Sequence, residues 1–214
     1  MTVALLHVVK TAGSSLWAWI EKNADEVKRP EAWMFASVNG HDYVQSHNLK
    51  WVPDDGINYG IVLRDPADWY VSVYHHDAAR REHHKFIVQD FERWYEEGGV
   101  NTVIPQDGSR NRMMYYCGRF CGSLDRLEEM VRSCWFVSTA EHINEDHKQI
   151  ADAFGIEPGL GRERGVGSPV HRLDNFPITR RFELTDEWRE RIWEENPGDV
   201  ALYQLALEVR NGKS

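Results

Sequence analysis

Val3-Ala4-Leu5-Leu6-His7-Val8-Val9-Lys10-Thr11-Ala12-Gly13-Ser14-Ser15-Leu16 is the stretch that decides the fold. Val3 to Val8 is a short, mostly apolar run of the kind a buried parallel strand shows, and it stops at the small, turn-like Lys10-Thr11-Ala12-Gly13. Leu16, Ile20, Ala24 and Val27 then recur at spacings of four, four and three, which predicts one face of a helix starting near Ser14 or Ser15. The unit is strand, glycine turn, helix. Its loop suits an anion: a helix N-terminus offers N–H groups and about half a positive charge. Lys10 adds a full charge, and the hydroxyls of Thr11, Ser14 and Ser15 add donors around Ala12 and Gly13.

Working outward, Trp33 to Val38 and Ile57 to Leu63 are further strand candidates, the second ending at Arg64-Asp65-Pro66. Asp65 suits a helix N-cap and Pro66 the first helical position, so a helix is predicted to run to about Arg81. Amphipathic helices fit Val88 to Glu97, Ser109 to Tyr116 and Leu124 to Arg132. A strand at Trp135 to Ser138 precedes a helix from about Asn144 to Phe154. Gly155 to Ser168 reads as a loop or lid. Thr185 to Val209 is helical around Asn196-Pro197-Gly198, with Thr185 as cap. Strands alternating with helices imply an α/β fold with a parallel sheet, which binds ligands at the carboxyl ends of its strands.

The loop resembles the 5'-phosphosulfate loop of sulfotransferases that use 3'-phosphoadenosine-5'-phosphosulfate (PAPS), especially the carbohydrate-type branch that includes heparan sulfate 2-O-sulfotransferases and related bacterial enzymes. That branch reads approximately His-x-Pro-Lys-Thr-Gly-Gly-Thr-Ser; here Val9 stands at the Pro position, and Ala12 and Ser14 are small replacements. Walker A places its Lys after the last Gly, whereas Lys10 precedes Gly13. A second segment, Ile61 to Tyr74, resembles the family's 3'-phosphate motif, in which an Arg ending a strand is followed eight positions later by Ser: Arg64 and Ser72. A strand-end guanidinium can grip phosphate through paired hydrogen bonds. A pair between Arg64 and Asp65 or Asp68 is the structural alternative. Phe136 to Asn144, with Glu141, and Asp199 to Ala206 carry weaker likeness. Arg162, Arg164 and Arg172 stand where many of these enzymes close a basic loop.

The resemblance implies a P-loop-like three-layer fold, a central parallel sheet flanked by helices with a helix-rich C-terminal half, as one domain over 1–214. It implies sulfuryl transfer from PAPS to an acceptor hydroxyl, leaving 3'-phosphoadenosine-5'-phosphate, with no metal required. Lys10, Thr11, Ala12, Gly13, Ser14, Ser15, Arg64 and Ser72 would bind the donor, and Lys10 would also balance charge on the leaving oxygen. The acceptor's proton needs a base, for which imidazole is suited. Among ten histidines the family's Gly-His pair points to His41, 23 residues before Arg64, with His47 as rival and Asp42 as a candidate to orient either ring. The adjacent pairs His75-His76 and His83-His84 point in different directions along a helix and complete no metal set.

Composition bounds the rest. At 214 residues, 42% hydrophobic and 28% charged, the chain can bury one sizeable core. A net charge of -9 disfavours nucleic acid and a highly sulfated polymer as partners, while leaving room for a local basic pocket. The acceptor expected is a carbohydrate or other small molecule. No run of about eighteen apolar residues is present, and Met1 to Val9 is too short and too polar for a signal segment, so the expectation is a soluble, cytoplasmic protein. Cys117, Cys121 and Cys134 fit free thiols in a reducing compartment. A P-loop kinase, which would hold Mg2+ with a loop hydroxyl and a strand-end acid, and a non-catalytic nucleotide-binding module are the competing classes.

Overall fold

The β-rich first third places apolar residues on both sides of a sheet, and helices cover each side. A computed structural model describes residues 1–29, 33–83, 90–97, 110–160 and 181–212. Within it the chain runs β1 (Thr2–Leu6), α1 (Gly13–Lys22), β2 (Glu26–Lys28), β3 (Met34–Val38), β4 (His41–Ser46), β5 (Asn58–Leu63) and α2 (Pro66–His83). It continues through α3 (Phe91–Glu96), α4 (Arg112–Cys121), a 3-10 turn, α5 (Leu127–Ser133), β6 (Phe136–Thr139), α6 (Ile143–Phe154), α7 (Asp186–Glu195) and α8 (Pro197–Gly212). The strands form one open sheet in the order β2-β3-β4-β1-β5-β6. β4, β1, β5 and β6 are mutually parallel, while β3 runs antiparallel to both its neighbours, β2 and β4, at one edge.

Alternation along β1 builds three layers. Val3 and Leu5 face α1 and α6, packing with Leu16, Ile20, Ile150 and Phe154. Ala4 and Leu6 face the other way, onto Trp69, Tyr70 and Tyr74 of α2 and the helices α4, α5 and α8. From β1 the chain pairs outward to β4 on one side and β5 on the other. The carboxyl end of β1 is therefore a topological switch point, the crevice where α/β sheets take ligands.

Several elements depart from the sequence reading. α1 stops at Lys22, where Asn23 turns its side chain back to the Trp19 carbonyl at 2.8 Å. Val27 therefore lies in the exposed strand β2 and not on the helix face. β4 was not foreseen, because His41-Asp42-Tyr43-Val44-Gln45-Ser46 lacks an apolar run. Its signal was the Asn39-Gly40 turn, both residues at positive φ (49° and 76°) as a two-residue hairpin requires. That hairpin makes part of the sheet antiparallel. Residues 88–89, 109 and 161–168 of the expected helices and loop, with Arg162, Arg164 and Arg172, lie outside the described residues. The part that is described, Gly155 to Leu160, is tied to α1 and α6 by Trp19 Nε1 to the Glu157 carbonyl (3.2 Å) and the Leu160 amide to His147 (3.3 Å).

Two helices cap each other. Asp199, fully buried near the start of α8, accepts the Met113 and Met114 amides of α4 at 3.3 and 2.7 Å. In return Asn111 Oδ1 accepts the Gly198 and Asp199 amides of α8. Burial pushes the Asp199 carboxyl up to about 7 against the pull of those amides and of Arg112. Between the ordinary aspartate range and pH 7 the native chain thus holds a proton that the unfolded chain has released, and stability from this group falls as pH rises. Asp199→Asn, which keeps an acceptor without the charge, should gain Tm relative to the wild type on going from pH 5 to pH 8. An offset between the two melting curves that does not change with pH would contradict this.

Candidate functional site

Beyond Leu6 the chain turns through two non-glycine residues in the left-handed region, Lys10 (φ 63°) and Ala12 (φ 70°). Each such residue costs about 1–2 kcal/mol and persists only where neighbours hold it. Here the hold comes from inside and outside. Thr11 Oγ1 donates to the Val8 carbonyl at 2.9 Å, Trp69 Nε1 to the Val9 carbonyl at 2.8 Å, and Arg64 Nη1 to the Lys10 carbonyl at 3.3 Å. α1 then starts at Gly13 with Ala12 at its N-cap, no side-chain cap and no acid in its first turn. No carboxylate of its own first turn offsets the positive end of this helix.

The two segments read separately in the sequence therefore meet: the residues that pin the loop, Arg64 and Trp69, belong to the second. Arg64 follows β5, and its Nε is buried without a hydrogen-bond partner among the described residues. The alternative pairing with Asp65 or Asp68 is not what the fold makes. Arg189 of α7 takes both carboxylates, at 2.7 Å to Asp65 and 3.0 Å to Asp68, and Trp193 Nε1 donates to Asp65 at 3.1 Å. Asp65 still caps α2 by accepting the Asp68 amide at 3.1 Å. Among the described residues Arg64 has no carboxylate partner.

Other foreseen residues sort differently. The Thr11 hydroxyl is buried and donates inward, so it shapes the loop. Ser14 and Ser15 are half-buried in the first turn of α1, and Ser72 is half-buried in the second turn of α2. Glu141, following β6, accepts the Asp65 amide at 3.3 Å and lies 3.5 Å from Tyr203 Oη. His75 accepts the Phe182 amide at 3.0 Å. Among the described residues no group of three or more His, Cys, Asp or Glu could hold a metal, and Cys117, Cys121 and Cys134 are buried and form no disulfide.

His41 stands away from the loop. β4 pairs with β1 in the register Thr2 to Asp42 and Leu6 to Ser46, so His41 lies level with Met1. Its Nδ1 is 3.1 Å from the N-terminal ammonium, and its ring stacks on Phe154. Five strand residues at about 3.3 Å each separate this edge from the loop. Gly40 precedes His41 because the hairpin needs a left-handed residue there. Asp42 shares that far edge.

The imidazole that reaches the carboxyl edge is His47, just past β4. Its ring stacks on His7 at 4.1 Å between centroids. Its Nδ1 is 2.7 Å from the His7 carbonyl and 2.8 Å from Tyr116 Oη. A carbonyl only accepts, so Nδ1 carries the proton, and in the neutral ring Nε2 keeps its lone pair. Burial and Arg119 hold the ring below the usual histidine range, against the pull of the His7 carbonyl. The residue as a whole is exposed, so solvent or an acceptor can reach it.

His7 lies beneath the loop, and nothing in the sequence marks out a role for it among the ten histidines. It is buried, and burial together with the charges of His47 and Lys10 pushes its pKa down to about 3. Gln45, at 0% exposure, holds the His7 Nδ1 at 3.0 Å and the Gly13 carbonyl at 3.1 Å, and accepts from Tyr43 Oη at 2.9 Å. No apolar pattern reveals a polar Gln in a central strand; the only signal is its place five residues after Gly40 of the turn.

A Cβ on Gly13 would collide with Cδ2 and Nε2 of His7. Gly13→Ala should therefore lower stability by about 1 to 3 kcal/mol, the usual cost of overpacking, and cost less in a His7→Ala background, as a thermal-melt double-mutant cycle would read. Additive losses would mean that the close approach is not what requires glycine. The chain matches no protein-family model and no curated protein.

Proposed function

We propose that this chain is a sulfotransferase that binds PAPS through the loop after β1 and passes the sulfuryl group to an acceptor hydroxyl. The observation that carries the reading is the bonding of Arg64 and Trp69 to consecutive loop carbonyls, with Asp65 and Asp68 taken up by Arg189. One guanidinium thereby braces the anion loop and keeps unpaired donor capacity beside it, as a site for a nucleotide with phosphate at both ends needs. The start of α1, without cap or acid, suits the phosphosulfate end.

The nucleotide supplies the sulfuryl group; the chain's residues position it and manage charge. Lys10 offsets negative charge on the departing phosphate oxygen. His47 replaces His41 as the base: its Nε2 lone pair accepts the acceptor's proton as the oxygen attacks, while the His7 carbonyl and Tyr116 fix the tautomer. No described helix is long and apolar enough to cross a membrane, and the acceptor proposed is a carbohydrate or small molecule.

In thermal-shift titrations 3'-phosphoadenosine-5'-phosphate should stabilise the protein more than ATP. Arg64→Ala should erase most of the preference, a roughly ten- to hundredfold loss of affinity for a charge-assisted contact. Equal shifts for the two nucleotides would overturn the donor assignment.

Radiolabelled sulfuryl transfer to a panel of sugars, phenols and lipids tests the chemistry. His47→Ala should lower turnover by roughly a hundred- to ten-thousandfold with bisphosphate binding nearly intact, His41→Ala should stay active, and Lys10→Ala should lose both affinity and rate. A chelator should leave the wild-type rate unchanged; loss of sulfuryl transfer on chelation would overturn the metal-free mechanism.

A further inference from the structure

We propose that His7 is a direct donor to the anion held at the start of α1, presenting an Nε2–H whose position is enforced by Gln45. The inference rests on reading the loop after β1 as an oxyanion site, and it adds a residue to that site. The Gly13 carbonyl can only accept, so the Gln45 atom 3.1 Å from it is the amide nitrogen. The same nitrogen lies 3.0 Å from His7 Nδ1, and Gln45 Oε1 is occupied by Tyr43 Oη at 2.9 Å. His7 Nδ1 is therefore an acceptor, and the neutral ring carries its proton on Nε2.

Where that proton sits follows from Gly13. Nε2 and Cδ2 of His7 occupy the space a Gly13 side chain would need, so the N–H lies against the first residue of α1. The residue is only 7% exposed, and among the described residues Nε2 has no hydrogen-bond partner. The ring is buried, but its Nε2 keeps access to the loop side and can meet an incoming acceptor. The helix end beside it favours an acceptor with negative charge, and an oxygen of a tetrahedral phosphate or sulfate group meets both demands. Because burial keeps the ring neutral, the donor persists across the physiological pH range, unlike an imidazolium.

The same geometry joins the anion to the base. The His7 carbonyl fixes His47 Nδ1, and its ring stacks on the His47 ring. Donor binding and base orientation thus share one residue.

Long-range proton–nitrogen NMR on protein labelled at histidine nitrogen tests this. In the free protein His7 should show a protonated Nε2 and an unprotonated Nδ1. Titration with 3'-phosphoadenosine-5'-phosphate, and separately with inorganic sulfate, should move the Nε2 proton downfield in step with calorimetric saturation. A shift with the bisphosphate alone identifies the nucleotide as the anion's source; a shift with both identifies a general oxyanion site, and either supports the donor role. Gln45→Glu, whose carboxylate would draw the proton to Nδ1, should weaken the bisphosphate about tenfold or more; if that variant does not fold, the wild-type spectra decide. An Nδ1–H tautomer, or binding that leaves the Nε2 proton unmoved, overturns the His7 assignment while the proposed function stands. Failure of both anions to bind overturns both.

Discussion

The hydrogen bonds that Trp69 and Arg64 give to the Val9 and Lys10 carbonyls are what the rest of the site depends on. The loop passes through two left-handed non-glycine residues within three positions, a conformation costing about 1–2 kcal/mol at each. Side chain to backbone bonds worth about 1 kcal/mol, and somewhat more from a charged donor, are of the right size to hold it. Both donors come from the β5–α2 junction, so sheet order and loop shape are linked: β5 must lie beside β1 for Arg64 to reach.

α7 acts on the same junction from a distance in sequence. By taking Asp65 and Asp68, Arg189 removes the two carboxylates nearest Arg64 along the chain. A nearby carboxylate would have neutralised the guanidinium and competed with any phosphate. α4 has a comparable role at the other side, because Tyr116 bonds to His47. The start of α4 is in turn held by its mutual caps with α8. The C-terminal helices therefore supply little of the site's chemistry and much of its geometry.

The polar cluster under the loop follows a strict donor and acceptor count. Tyr43, Gln45, His7 and the Gly13 carbonyl form one chain of bonds in which the orientation of each member sets the next. Burying them is tolerable because Tyr43 Oη, the Gln45 amide and His7 Nδ1 are each paired. That condition leaves one glycine-sized space, at Gly13, against the His7 ring.

By itself the sequence determined the strand, loop and helix around Lys10, the start of α2 at Asp65-Pro66, and the chemical types gathered at the sheet's carboxyl edge. These are local properties, set by apolar runs, caps and turn residues that act within a few positions. It did not reveal β4, whose strand character comes from lying between β1 and β3. Which imidazole meets the loop was therefore beyond it. Gly40-His41 reads as a motif until the hairpin explains the glycine and the register places His41 at the far edge. His47 sits six residues later, one strand length away, and at the opposite end of the sheet. Whether Arg64 faces a carboxylate or the loop was decided by Arg189, 125 positions along the chain. Tertiary structure settled both because strand register and ion-pair choice are fixed by contacts between segments distant in the chain, and such contacts leave no periodic trace in either segment alone.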